Sequence, residues 1–170
     1  MLYYAFEILY WCGIREGELL ALTPADFNFK EKTLRISKSY QRIKSEDVIT
    51  PPKTKKSIRT ITIPDFLCYE IQDYFKQFYS LPEDARAFPL SKHQLTRGME
   101  YGCKQSGVKK IRIHDLRHSH VSLLINMGYS AVAIGDRVGH ESVDITFRYA
   151  HMFPTVQKEM ATKLNEERSA

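Results

Sequence analysis

Hydrophobic and polar positions along this chain change period several times, and each change marks an element. Residues 3–12 carry apolar side chains on nearly every face of a helical wheel, which predicts a deeply buried helix. Gly13 interrupts it, and Leu19, Leu20 and Leu22 mark a second helical segment over residues 15–22, stopped at Thr23-Pro24. The period then shortens to two. Phe27 and Phe29 alternate with polar residues, Lys30-Glu31-Lys32 makes a polar turn, and Leu34 and Ile36 resume the alternation, a hairpin signature. Residues 58–63 form a second, β-branched run that alternates from Thr60 onward and is closed by Pro64. The largely polar stretch 43–52, ending in a double proline, reads as a loop leading into that strand.

Beyond Pro64 the helical period returns. Asp65 is placed to cap a helix carrying Phe66, Ile71, Phe75 and Phe78. Residues 80–90 form a proline-containing connection, and Ser91 caps a helix reaching about Gln105. Ile111 and Ile113 lead into a helix over residues 115–127, closed by Gly128. Further helical segments are predicted over 131–138 and 143–149, and a tail helix over 155–167 carries Val156, Met160 and Leu164 on one side. The fold class is therefore α+β: mainly α-helical, with a small antiparallel β-sheet set apart from the helices.

Composition narrows the picture. One hundred and seventy residues make one ordinary domain, 43% apolar and 26% charged, able to bury a core without disulfides. No apolar stretch approaches a membrane span and the first residues do not form a secretory signal, so the expected location is the cytoplasm. Cys12, Cys68 and Cys103 lie far apart without a C-x-x-C pair, and Cys12 and Cys68 read as small core residues. The net charge of +5 is a weak hint of a polyanionic partner, but its distribution says more. Lys38, Arg42, Lys44, Lys53, Lys55, Lys56 and Arg59 face only Glu46 and Asp47 within their segment, and residues 104–120 hold a second basic cluster with three histidines.

Those two clusters also contain the best candidates for chemistry. Breaking a phosphodiester without a metal needs a nucleophile, cations to neutralise the transition state and an acid for the leaving alkoxide. Arg is preferred where two non-bridging oxygens are gripped together. His114-Asp115-Leu116-Arg117-His118 opens a helix, so His114 and Arg117 project from one face. Val138-Gly139-His140 follows, with Gly139 permitting a tight turn, and then Tyr149-Ala150-His151. The order H-x-x-R, G-H and a tyrosine nine residues later resembles the C-terminal signature of the tyrosine recombinase (phage integrase) family. Upstream, Gly13-Ile14-Arg15-Glu16-Gly17-Glu18-Leu19-Leu20 resembles that family's first-arginine motif, and Pro52-Lys53-Thr54-Lys55-Lys56-Ser57-Ile58-Arg59 resembles the lysine hairpin segment of integrases from phages and conjugative transposons.

The resemblance implies the catalytic domain of a DNA strand transferase, working on double-stranded DNA without metal or cofactor and self-associating into a synaptic tetramer. It implies that Arg15 and Arg117 hold the scissile phosphate, Lys53 protonates the departing 5′ oxygen, His114 assists proton movement, His140 hydrogen-bonds the phosphate and Tyr149 attacks it. Glu18 would orient Arg15. Lys55 competes with Lys53 for the acid role, and Lys55, Lys56, Arg59, Lys109, Lys110 and Arg112 are expected as DNA-backbone contacts. Family members carry further N-terminal DNA-binding domains, so residues 1–170 are expected to be the catalytic domain alone, with 155–170 as its tail helix.

Other readings weigh against this one. His114 and His118 have zinc spacing, but Asp115 stands where a zincin carries Glu. A single tyrosine among ten is more often packed than reactive, and only the spacing from His140 raises Tyr149. A catalytically silent DNA-binding relative is the alternative function. A metal-dependent nuclease is a third class, separated from the others by EDTA.

Overall fold

A computed structural model of the chain describes residues 1–52, 57–139 and 157–168. Helix α1 (Leu2–Cys12) runs through the centre and packs on α2 (Glu16–Ala21), α3 (Asp65–Lys76) and α5 (Ile113–Asn126). Its residues Ala5, Ile8, Leu9 and Cys12 are buried, as the apolar run requires, although Tyr3 at its start is exposed. Gly13 ends the helix with φ of 61°, and any side chain there would strike the His120 ring, so glycine is required on two counts.

A three-stranded antiparallel sheet has the order β1 (Phe27–Asn28), β2 (Thr33–Ile36), β5 (Arg59–Thr62). Phe27 pairs with Leu34, Leu34 with Ile61 and Ile36 with Arg59, so both predicted runs form strands. Between them the expected loop at 43–52 is instead mostly strand. β3 (Ser39–Ile43) and β4 (Glu46–Thr50) form a separate hairpin, with Tyr40 opposite Ile49 and Gln41 opposite Val48. Lys44 and Ser45 take φ of 48° and 69°, the left-handed pair that a two-residue hairpin turn demands. The hairpin escaped the periodic reading because most of its side chains face solvent and only Tyr40 is buried. Tyr40 donates to Asp47 at 2.7 Å, and the Arg86 guanidinium lies 4.2 Å above its ring. Arg86 in turn donates to the carbonyls of Leu20, Phe88 and Leu90, fixing the hairpin root and the proline-rich connection to the body.

Helix α3 starts at Asp65 after Pro64, so Asp65 occupies the first helical position and pairs with Lys32 at 2.9 Å instead of capping. Tyr74 stacks on Phe88 and donates to the Ala87 carbonyl at 2.8 Å. Helix α4 (Lys92–Ser106) is capped by Ser91 as expected, with Gln94 returning the bond to the Ser91 amide. Helix α5 begins two residues earlier than the periodicity suggested. Arg112 is its cap, and Asp115, as third residue of the helix, accepts from the Arg112 backbone amide at 2.7 Å.

Helix α6 (Ala131–Val138) is capped by Ser130 and stopped by Gly139, and Ile134 and Val138 pack on Val121 and Ile125 of α5 as a second small core. Cys12, Cys68 and Cys103 are all buried and unpaired. Helix α7 (Gln157–Arg168) carries the exposed Leu164. The predicted segment 143–149 lies outside the described residues. Among the described residues no helix is long and apolar enough to cross a membrane.

Candidate active site

Two arginines far apart in sequence meet at the C-terminal end of α6. Arg15, at the start of α2, donates through Nη2 to the Gly139 carbonyl at 3.0 Å. Arg117, one turn into α5, donates through Nη2 to the Val138 carbonyl and through Nη1 to the Gly13 carbonyl, both at 2.7 Å. The α6 C-terminus concentrates unpaired carbonyls and a partial negative charge, so it is a natural seat for guanidinium groups. Arg117 is 3% exposed, whereas the Arg15 side chain is 39% exposed and reaches the surface.

The Arg15 guanidinium is held from behind by Glu18. Nη1 of Arg15 lies 2.8 Å from Glu18 Oε1, and the Arg15 backbone amide donates to Oε2 at 2.8 Å. Burial pushes the Glu18 carboxyl upward, but hydrogen bonding and charge from Arg59 and Arg15 outweigh it and hold it below the usual carboxylate range. Glu18 therefore stays ionised and serves as a fixed anion under Arg15.

Among the described residues, Arg59 is the expected DNA-facing cation that the fold turns inward. It is 9% exposed, and its guanidinium grips Glu18 through Nη1 at 3.1 Å and Nη2 at 2.9 Å. Nε donates to the Arg137 carbonyl at 2.9 Å and Nη1 also to the Ser57 carbonyl at 3.1 Å. The physical reason is strand phase: Arg59 shares the inward face of β5 with Ile61. That signal was present in the sequence, since positions 59, 61 and 63 share a parity, but the positive charge outweighed it.

His114 sits at the start of α5 with its ring edge-on to His118, centroids 4.7 Å apart. Its pKa is lowered by partial desolvation, then by the charges of His118, Arg117, Arg112 and Arg15, so the imidazole is biased to its neutral form. Lys109, Lys110 and Arg112 are exposed in the segment before α5. Lys110 pairs with Glu100 at 2.6 Å, and Arg112 pairs with Asp115 at 2.8 Å. The Arg112 hydrogen bonds depress the Asp115 carboxyl to about 2.

A cavity of about 310 Å³ opens over Arg15 and Glu18, walled by Ser39, Gln41 and Thr50 of the β3–β4 hairpin and by Ser57. Lys53, Lys55, Lys56, His140, Tyr149 and His151 lie outside the described residues. Ser57 and Gly139, which directly follow the lysine segment and precede His140, do belong to the site, through Arg59 and Arg15.

Sequence reasoning missed a second polar cluster beneath this one. His120, buried in α5, accepts from Arg137 Nε at 3.2 Å, which places its proton on Nδ1. Burial first, then Arg137, lowers its pKa to about 4, against the opposing pull of the Tyr10 backbone. Arg137 also donates to the carbonyls of Thr62 and Trp11, joining α6 to β5 and α1.

The phage integrase family matches residues 1–155. The chain belongs to that family. It is 35% identical over 175 residues to the ICEBs1 integrase of Bacillus subtilis, covering 95% of this chain and 48% of that protein. It is 27% identical over 180 residues to the integrase of Staphylococcus phage L54a, covering 95% of this chain and 51% of that protein. The chain thus spans about half the length of these curated relatives. Its fold matches the Tn1549 transposon integrase solved in complex with a circular intermediate DNA, with a TM-score of 0.78 at 21% identity over 99% of this chain and 58% of that one. The mainly helical architecture with small antiparallel sheets is therefore that of a tyrosine recombinase catalytic domain, as the sequence motifs implied.

Proposed function

We propose that residues 1–170 form the catalytic domain of a site-specific tyrosine recombinase that cuts and rejoins double-stranded DNA to integrate or excise a mobile element. The observation that carries this reading is the convergence of Arg15 and Arg117 on the carbonyls of Gly139 and Val138, immediately before His140. Two planar cations seated on adjacent carbonyls of one helix end, with Arg15 reaching the cleft, suit the paired non-bridging oxygens of a phosphodiester.

In this reading Arg15 and Arg117 neutralise the charge that builds on the pentacoordinate phosphorus. His140 adds a hydrogen bond to the same phosphate. The Tyr149 phenolate attacks phosphorus, forming a 3′-phosphotyrosyl bond as the bond to the 5′ oxygen breaks, and Lys53 supplies the proton that leaves with that oxygen. The neutral bias of His114 suits it to accept a proton near the nucleophile. Rejoining reverses the step with a 5′ hydroxyl from another strand, and needs neither ATP nor metal because the phosphodiester energy is kept in the tyrosyl ester. Lys55, Lys56, Lys109, Lys110 and Arg112 contact the DNA backbone around this centre, and four copies assemble across a synapse in the cytoplasm.

The test is a suicide duplex nicked beside the cleavage point, incubated with the chain in EDTA. A covalent protein–DNA adduct is expected, and Tyr149→Phe is expected to abolish it. An adduct that survives Tyr149→Phe, or one that forms only with added divalent metal, would overturn the reading.

A further inference from the structure

Arg15 is held by two acceptors, the Glu18 carboxylate and the Gly139 carbonyl. Arg59 touches both residues that supply them. Its fork takes both oxygens of Glu18, at 3.1 and 2.9 Å. Its guanidinium also packs so closely under the Gly139 turn that a Cβ on residue 139 would lie 2.8 Å from Nη1. The remaining bonds extend the same role. Nε reaches the Arg137 carbonyl in α6, and Nη1 reaches the Ser57 carbonyl beside the lysine segment. One buried side chain therefore ties β5 to α2 and to the end of α6, three segments that flank Lys53, Arg15 and His140 in sequence.

We propose that Arg59 is a positioning residue that sets the Arg15 guanidinium by fixing both of its acceptors. Lysine could not substitute fully, because a single ammonium cannot clasp two carboxylate oxygens and still bond a third partner from a separate nitrogen. The charge is also needed: without Arg59, the buried Glu18 would face Arg15 alone, and the carboxylate would be freer to draw that guanidinium back from the cleft. This inference rests on the strand-transfer reading above, and it concerns how the site is built and not which reaction it performs.

The experiment compares single-turnover cleavage by the wild-type chain, Arg15→Ala, Arg59→Met and Arg59→Lys on two nicked suicide duplexes. One carries a normal scissile phosphate, and the other a methylphosphonate that lacks one negative charge. Arg59→Met is expected to slow cleavage of the phosphate about 100-fold at saturating DNA, the scale of a misplaced catalytic group, with DNA affinity changed by less than about twofold. On the methylphosphonate, where Arg15 has less charge to offset, the deficits of Arg15→Ala and Arg59→Met should shrink together by at least about tenfold. Arg59→Lys should fall between wild type and Arg59→Met, and it is the variant in which the same ratio is read if Arg59→Met does not fold. A deficit of equal size on both substrates, or cleavage at the wild-type rate, would overturn the positioning role while leaving the reaction intact. A wild-type chain that forms no adduct would instead bring down the reaction reading, and this inference with it.

Discussion

Two groups of cations in this chain look alike in sequence and end in opposite environments. Lys109, Lys110 and Arg112 line an exposed approach to α5, and Lys110 and Arg112 pair with the surface carboxylates Glu100 and Asp115. Arg59, Arg117 and Arg137 also belong to basic or motif segments, yet Arg59 and Arg117 are buried and all three donate to backbone carbonyls on distant elements. The exposed set is screened by water and salt, so it contributes to attraction of a polyanion and little to the fold. The interior set replaces water for carbonyls that would otherwise be unpaired, so it contributes to the fold and holds the site rigid. Charge alone does not tell these roles apart. Strand phase and helix ends do.

Arg117 carries the largest expected effect of the interior set. Arg117→Ala removes the donor from the Gly13 and Val138 carbonyls, and should destabilise the chain by about 4 kcal/mol in urea unfolding while abolishing cleavage. Retained stability would show that water reaches those carbonyls and that the interior set is not structural.

His120 gives the next effect, through pH. Its folded-state pKa of about 4 lies below the ordinary 6.5, so the unfolded chain binds the extra proton first. The stabilisation is whole above about pH 6.5 and is lost as pH falls towards 4, on the order of 3 kcal/mol. His120→Gln should flatten that part of the stability profile, measured by urea midpoints at half-unit steps. An unchanged slope would place the titration elsewhere.

Gly139→Ala is expected to cost about 2 kcal/mol, because the residue holds φ of 68° and its new methyl would press on Arg59. The same substitution at Gly102, where nothing lies within 4 Å of an added Cβ, serves as its control. The smallest folding effect belongs to the exposed set. Lys110→Ala and Arg112→Ala should leave the unfolding midpoint near that of the parent chain. Each should lower DNA affinity and reduce the slope of log affinity against log salt by about one. A large loss of stability at either position would dissolve the distinction between the two sets.

Much of the architecture was legible from periodicity. The hairpin of β1 and β2, the strand at 59–62, the Ser91 cap and the α6 span follow from alternation, cap residues and glycine stops. The hairpin of β3 and β4 was not legible, since its pairing is backbone-driven, its faces are mostly polar and its anchor depends on Arg86, which arrives from a remote connection. At the site, the pairing of Arg15 with Glu18 was readable through the family resemblance, whose first-arginine motif carries a Glu three residues on. The His120–Arg137 pair was not read, because packing alone brings its partners together, and the strand parity that turns Arg59 inward does not name the groups it meets there.

What the sequence determined by itself is the set of local elements and the order of motifs, because helix caps, strand alternation and glycine turns depend on neighbours within a few residues. Only the tertiary structure decided which cations face water and which hold the interior. Strand parity marks the inward side of β5, but the choice also depends on desolvation and on carbonyls offered by elements far away in the chain, which no local pattern names.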